Sequence, residues 1–282
     1  MSIWNRDIVQ RLLHDLFLYS PRLFQKNDTE LVRFPGHKGI LFIYDPEIYN
    51  ERTTDKQFLY KLKLETETTG QELMIVYLPE LAHKYSITLN RIKYRLQDAK
   101  ARVRAKKCQI RDLTSVEYKN FINEFHIQGS IVSSIKYGLF KDDLLLAAMS
   151  FNKSRYNKDY EYEMGRYCVR PGFVIHGNAS RLLHHFIREK DPKSIITYCD
   201  YRWSSGRVYE AIGFKLLHDS ACGFFWAKDG QMYNRRGWWK ARLPEKLDHF
   251  DPNLSAHNNM RANGFVKIYD IGQRTYVWHK EA

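Results

Sequence analysis

Cysteine is scarce in this chain, and the few cysteines present are far apart. Cys108, Cys168, Cys199 and Cys222 form no C-x-x-C pair. This spacing indicates neither a zinc site nor a disulfide framework. We therefore expect four reduced thiols in a cytoplasmic protein.

Long apolar runs are also missing. No stretch approaches the roughly 18 consecutive apolar residues that a membrane span requires. The first ten residues, MSIWNRDIVQ, are too polar for a signal peptide. We therefore expect a soluble intracellular protein with no membrane partner.

Positive charge is abundant. The 282 residues carry a formal net charge of +13 at a pI near 9.4, and 15% of them are aromatic. A surplus of this size favours a polyanionic partner, and aromatic residues among Arg and Lys suit base stacking as well as phosphate contact. We expect DNA, in double-stranded form, although a basic protein that is merely soluble remains the alternative.

The first part of the chain has the pattern of a small α/β module over residues 1–89. Helical spacing predicts an amphipathic helix over 4–18, and two short apolar runs at 39–44 and 72–78 predict strands. Residues 90–107 follow with eight Lys or Arg and one acid. If helical, this stretch is either a basic connector for a phosphate backbone or a solvated linker.

Residues 108–228 alternate strands and helices in the order β-α-β-β-β-α-β-α-β, with GFFWAK as the last strand. Residues 229–282 form a basic and aromatic appendage. Within it, SAHNNMRAN predicts a helix capped by Ser255 and stopped by Gly264, and a strand follows.

The region 108–228 resembles the GNAT acyltransferase fold. A glycine turn, His176-Gly177-Asn178-Ala179, opens the central helix, and Y-x-x-x-G-F follows the next one. The resemblance implies that backbone N–H groups of Gly177, Asn178 and Ala179 meet the pyrophosphate of acetyl-CoA or another acyl donor. Val174 stands where the family carries Arg or Gln. Gly165 is the expected site of a bulge that splays the two central strands.

Five blocks lie over 108–278: FHIQGSIVSSIKYGLF, NKSRYNKDYEYEMGRYC, GNASRLLHHFI, PKSIITYCDYRWSSGRVYEAIGF and FDPNLSAHNNMRANGFVKIYDIG. In this order they look like the C-terminal region of phage Hef-like homing endonucleases. Glu163 with Arg166, and Tyr198-Cys199-Asp200 at a strand end, are similar to motifs of Mom-type DNA-modification enzymes. The front part resembles a Vsr-like nuclease domain, but Val32 and Ile43 stand where that family has carboxylates. Valine and isoleucine cannot hold a hard cation, so the resemblance implies a degenerate nuclease. We thus expect a mixed α/β (α+β) fold: a GNAT-like domain, a small N-terminal module and a short C-terminal appendage.

Four residues are candidates for catalysis. Asp200 ends an apolar strand, where ligands bind in α/β sheets, or it forms an N-cap or a salt bridge to Arg202 or Arg207. Glu163 and Arg166 share a face only if Gly165 is bulged, and otherwise form a surface ion pair. Tyr209 is the general acid that the GNAT resemblance implies, or a buried structural tyrosine.

Two basic stretches are candidates for nucleic-acid binding, one in the connector and one in the appendage. In YNRRGWWKAR, stacking plus phosphate contact competes with an ordinary Trp-anchored lid. The candidates are Lys93, Arg95, Lys100, Arg102, Arg104, Arg235, Arg236, Trp238, Trp239 and Lys240.

Three functions follow. The first is a GNAT-fold transferase that modifies a base in DNA, flipped into a cleft beside Asp200, Arg166 and Tyr209. The second is a Hef-like homing endonuclease or its decayed DNA-binding relative. The third is an acyl-CoA N-acyltransferase on a non-DNA substrate, which Val174 and the net charge count against.

Overall fold

The computed structural model describes residues 3–26, 29–49, 57–97, 101–155 and 157–280. Its contacts divide the chain into two compact units, each built from two separate stretches of sequence. The first unit comprises 1–88 and 221–272, and the second unit comprises 89–220 and 273–282.

The strands are, in chain order, β1 Arg22–Lys26, β2 Thr29–Arg33, β3 Gly39–Tyr44, β4 Glu72–Tyr77, β5 Ala101–Arg104, β6 Gln109–Asp112, β7 Ile135–Lys141, β8 Leu144–Lys153, β9 Tyr162–Val169, β10 Phe173–His176, β11 Ser194–Asp200, β12 Lys215–Asp219, β13 Phe224–Lys228, β14 Gln231–Asn234, β15 Val266–Tyr269 and β16 Gln273–His279. The α-helices are α1 Asp7–Asp15, α2 Pro46–Tyr49, α3 Phe58–Glu67, α4 Leu78–His83, α5 Tyr85–Arg95, α6 Ser115–Phe125, α7 Asn178–Lys190, α8 Arg207–Ala211 and α9 Ala256–Ala262. Within the described stretches, no helix has the length and apolar character that crossing a membrane demands.

The first unit contains two sheets, ordered β1-β2-β3-β4 and β14-β13-β15. Strands β3 and β4 are parallel, as expected for strands joined by the crossover helix α3. Val32 and Ile43 lie at the centre of the larger sheet, 0% and 1% exposed. Both side chains are therefore part of the apolar core of this module.

The second unit is built on a seven-stranded sheet, ordered β12-β16-β11-β9-β8-β7-β6. Its pairs are antiparallel except for β9 and β11, which run parallel. Helix α7 packs its apolar face, Leu182, Leu183 and Phe186, into the main core, where Phe186 stacks on Phe151 at 3.7 Å between ring centroids. The predicted mixed α/β fold is confirmed, and β6 to β12 follow the predicted order of strands and helices except for β10, an additional strand before α7.

The C-terminal segment does not form a separate appendage. Residues 221–272 join residues 1–88 in the first unit, so GFFWAK, predicted as the last strand of the GNAT-like domain, is instead the centre of the β14-β13-β15 sheet. Strand β16 enters the large sheet between β11 and β12 in its place. The predicted boundary at 228/229 missed this because linear order does not reveal which sheet a strand joins.

The predicted helix over 90–107 was wrong in its second half. Helix α5 ends at Arg95, and Gln97 has a left-handed φ of 62°. Further on, strand β5 pairs in parallel with β10, placing Val103 opposite Ile175. Val103 and Ile175 are both buried, so this pairing prevails over the helical preference of the basic residues.

Candidate functional site

The two central strands of the second unit separate at a bulge. The register of β9 against β8 shifts between Ser150, which faces Arg166, and Phe151, which faces Met164, leaving Gly165 as the extra residue. Among the described residues, β9 pairs with β11 only from Tyr162 to Met164. The expected bulge at Gly165 is confirmed, and an opening lies between the strands beyond it.

A side chain in place of Gly165 would have to displace Ile131. A Cβ atom on Gly165 would lie 2.5 Å from Cδ1 of Ile131, a residue in the segment between α6 and β7. This distance is far below a van der Waals contact. Ile131 therefore occupies the space that a side chain at position 165 would need.

We expect Gly165→Ala to lower the free energy of unfolding by about 1 kcal/mol, at the low end of overpacking costs, because only the end of the Ile131 side chain must move away from the added methyl group. Urea denaturation measures the loss. In an Ile131→Ala background the same substitution should cost much less, since the clashing atom is gone. Equal costs in the two backgrounds would show that Ile131 is not the cause.

The bulge also decides which way the candidate residues of β9 face. Tyr162 and Met164 belong to the core that packs on α7, whereas Cys168 belongs to the cluster on the α6 side. An extra residue reverses the alternation of a strand, so Glu163 and Arg166 both face the α6 side. Burial raises the pKa of Glu163, against the opposing effect of the nearby Arg166 charge.

Arg166 holds the segment between α6 and β7 against the bulge. Its Nε donates to the carbonyl oxygen of Gly129 at 2.8 Å, and its Nη1 donates to that of Gly165 at 2.9 Å. Two more side chains fix this segment: Asn123 accepts from the backbone N–H of Ser130, and Asn152 donates to Val132. The guanidinium of Arg166 therefore fixes the backbone at Gly129 and Gly165.

Asp200 lies at the carboxyl end of β11 in an ion pair. Its Oδ2 is 3.1 Å from Nη2 of Arg202, and its Oδ1 accepts from the Arg202 backbone N–H at 3.1 Å. Burial acts to raise the pKa of Asp200, but Arg202 and the nearby Arg91 outweigh it and hold the pKa below its usual value. A carboxylate with a lowered pKa is a weak base, so the geometry favours the alternative of a salt bridge.

Tyr209 lies on α8 at the point where β9 and β11 part. Its hydroxyl lies near the side chain of Thr197, and Thr197 donates to the carbonyl oxygen of Met164 at 3.0 Å. Its ring packs on those of Phe214 and Tyr276. Burial raises the pKa of Tyr209, so the phenol stays protonated at neutral pH.

Helix α7 begins beside the opening. Gly177 is its N-cap, with a left-handed φ of 78° and no side chain to cap the first turn. Asn178 and Ala179 are buried, and the Asn178 amide bonds to the carbonyl oxygen of Ile175 and to the hydroxyl of Tyr167. Backbone N–H groups are therefore what this helix start offers to an anion.

A basic groove of about 800 Å³ adjoins that helix start. We call it the α7 groove. It contains no acidic side chain among the described residues that line it, and strand β5 with its following turn contributes one wall. Its lining residues are Arg104, Ala105, Lys106, Ile110, His176, Gly177, Ser180, Arg181, His184, His185 and Arg188.

Sequence reasoning missed part of this groove. Lys106 was counted only in the charge of its segment, and Arg181 was not among the candidate site residues. Arg181 donates from Nη2 to the carbonyl oxygen of Cys108 at 2.9 Å, which holds it at the groove. The pairing of β5 with β10 brings Arg104 and Lys106 to the same place, and no local pattern indicates that pairing.

The predicted nucleic-acid residues are divided between the two units. Lys93, Arg95, Arg102 and Arg104 lie in the second unit, and Lys100 falls outside the described residues. The other candidates lie in the first unit. There Trp238 packs on Phe265 and Tyr233 in the core, whereas Arg235, Arg236, Trp239 and Lys240 are exposed.

No protein-family model and no curated protein matches this chain. Several solved structures show a distant likeness. A GNAT family acetyltransferase from Elizabethkingia anophelis with acetyl-CoA bound is 12% identical, with 62% of this chain and 99% of that chain covered, at a TM-score of 0.35. A Bacillus subtilis acetyltransferase in complex with CoA is 13% identical, with 62% of this chain and 100% of that chain covered, at a TM-score of 0.33.

N-acetylglutamate synthase from Neisseria gonorrhoeae, complexed with coenzyme A and N-acetyl-glutamate, is 13% identical, with 85% of this chain and 51% of that chain covered, at a TM-score of 0.36. Likenesses this weak carry no argument. The GNAT-like arrangement of the second unit is instead described by its own strand order, its bulge at Gly165 and its glycine-capped helix.

Proposed function

We propose that the second unit transfers an acyl group from an acyl-CoA thioester to an amine. The observation that carries this proposal is the parting of β9 and β11 at Gly165, directly beside the glycine-capped start of α7. An opening between strands suits a slender thioester arm. A helix start with unfilled N–H groups suits the phosphates at the other end of such a donor.

The residues present fit an anionic donor. The backbone of Gly177 and the residues after it offers N–H groups, while Arg104, Lys106 and Arg181 supply positive charge with no acidic lining residue described. These cations come from elements other than the loop in which Val174 replaces the expected Arg or Gln. The donor, when bound, supplies an activated acyl carbonyl.

Two side chains can handle protons at the opening. Tyr209 is protonated at neutral pH, so its phenol can donate a hydrogen bond to the sulfur of the leaving thiolate, although burial raises its pKa and makes it a weaker acid than an ordinary tyrosine. Glu163, whose pKa burial also raises, is better matched than an ordinary carboxylate to accept a proton from an amine. In this proposal Arg166 and Asp200 position backbone and neighbouring side chains rather than react.

Glu163→Gln should stabilise the protein at neutral pH while lowering its activity. A raised pKa means that folding favours the neutral carboxyl, so the wild type loses stability as pH rises and Glu163 ionises. Glutamine does not ionise, so the stability gain should be present at pH 7 and shrink toward pH 4. Urea midpoints at the two pH values test this, and an equal gain at both would contradict it.

Calorimetric titration with acetyl-CoA is the direct test of the donor. We expect one binding site per chain, and release of free thiol when amines are supplied as acceptors. An amino acid, a polyamine, a lysine-containing peptide and an adenine-containing oligonucleotide would separate acceptor classes. Absence of acetyl-CoA binding by the folded protein would overturn the proposal.

A base amine in DNA is a second candidate acceptor, as the likeness to Mom-type enzymes implies. The charge of the second unit favours it. Residues 89–220 and 273–282 contain 26 Lys and Arg against 15 Asp and Glu, a surplus of 11 within the chain's total of +13. Modified nucleosides in plasmid DNA from expressing cells, absent with Tyr209→Phe, would support this acceptor over a small amine.

A further inference from the structure

Two adjacent tryptophans of the first unit have opposite roles. Trp238 packs its ring on Phe265 and Tyr233, at 5.1 and 5.4 Å between centroids. Trp239 is 52% exposed. A single exposed tryptophan is common on a protein surface, so the fixed backbone and the positive charge beside it are what point to a ligand.

The backbone beneath Trp239 is held in place by hydrogen bonds. Trp238 N–H donates to the carbonyl oxygen of Arg235 at 3.2 Å, and Arg236 N–H donates to Oδ1 of Asn234 at 2.9 Å. From outside the turn, Lys246 Nζ donates to the carbonyl oxygen of Gly237 at 2.8 Å. A surface fixed in this way loses little conformational entropy when it binds.

One positive charge lies against the exposed ring, and others follow along the same segment. The guanidinium carbon of Arg242 lies 4.9 Å from the centroid of the Trp239 ring. Residues 233–246 contain five Lys or Arg and one acid, Glu245. We define the Trp239 surface as Arg235, Arg236, Trp239, Lys240 and Arg242, all of them exposed.

We propose that the Trp239 surface binds single-stranded nucleic acid, with a base stacked on Trp239 and phosphates on the arginines. Stacking needs an unpaired base with a free face, and sequence-tolerant stacking on an aromatic ring beside arginines is typical of single-strand binding. A lipid surface fits less well. An interfacial segment presents several apolar side chains to the membrane, whereas Trp239 is the one large apolar side chain described as exposed in 233–246.

This inference does not rest on the proposed acyl transfer, because the Trp239 surface and the α7 groove belong to different units. The proposal is tested by titrating the full chain into a fluorescently labelled single-stranded DNA 20-mer of mixed sequence and measuring the fluorescence anisotropy. Trp239→Ala should weaken binding about tenfold, and Trp239→Phe should retain most of the affinity because it keeps a stacking ring. Phe17→Ala is the matched control, since Phe17 is an exposed aromatic residue of the same unit, 74% exposed.

Salt dependence separates the phosphate contacts from the stacking. Arg235→Ala combined with Arg236→Ala should reduce the slope of log affinity against log salt by about 0.7 for each lost phosphate contact, whereas Trp239→Ala should leave the slope nearly unchanged. Equal affinity of wild type and Trp239→Ala, both with the same melting temperature, would overturn the proposal. So would binding to anionic lipid vesicles without binding to the 20-mer.

Discussion

Reversing two charges in the α7 groove should weaken acetyl-CoA binding by at least about 100-fold. The variant is Arg104→Glu with Lys106→Glu. Each cation can donate a charge-assisted hydrogen bond to a phosphate, worth about 1.5–3 kcal/mol, and each glutamate adds repulsion in its place. Calorimetric titration of the variant and the wild type at one salt concentration gives the ratio of Kd values.

The same strand and turn supply a matched control. Arg102 and Lys107 are exposed neighbours of Arg104 and Lys106, but they do not line the groove. Arg102→Glu with Lys107→Glu changes the net charge by the same amount, and solvent screening should limit its effect to a few-fold. If both double variants lose affinity equally, general charge attraction explains the binding and the groove does not.

Replacing Tyr209 with phenylalanine should lower kcat for acyl transfer by about 10²–10³-fold, because one hydrogen-bond donor to the leaving sulfur is lost. The phenol is the protonated group at the parting of β9 and β11, held by its contact with Thr197. Phenylalanine keeps the ring packing on Phe214 and Tyr276 and removes only the hydroxyl. The Kd for acetyl-CoA should therefore stay close to that of the wild type.

Tyr276→Phe is the control for Tyr209→Phe. The hydroxyl of Tyr276 shares its proton between the carbonyl oxygen of Ser205, at 3.1 Å, and Oε1 of Glu210, at 3.2 Å. We expect the loss of this hydroxyl to lower the free energy of unfolding by about 1 kcal/mol. We expect kcat to be retained in this variant, measured by thiol release at saturating donor. A similar fall in kcat for both tyrosines would indicate that the rate follows the packing of this region.

Much of the second unit could be predicted from local sequence. Helix α7, strands β7 to β9 and the turn before α7 follow from apolar periodicity and glycine positions, because neighbouring residues determine them. The bulge at Gly165 was predictable too, since glycine inside a strand pattern signals one. Once the bulge is known, the alternation of side chains along the strand places Glu163 and Arg166 on the same face of the sheet.

The structure of the basic connector, residues 90–107, could not be predicted from local sequence. Its eight basic residues fitted a helix, but residues 101–104 form a strand because a distant segment, 173–176, pairs with them. The same pairing assembles the α7 groove from residues some seventy positions apart. A window of local sequence holds no information about such a partner.

The sequence by itself determined helix α7, strands β7 to β9, the bulge, the helix start at Gly177 and the surplus of positive charge. Only the tertiary structure decided that 221–272 joins the first unit, that β16 completes the large sheet, and that Asp200 is paired with Arg202. Local backbone preference and side-chain periodicity act over a few residues. The choice of strand partners and ion pairs depends on which surfaces meet when the whole chain buries its apolar residues.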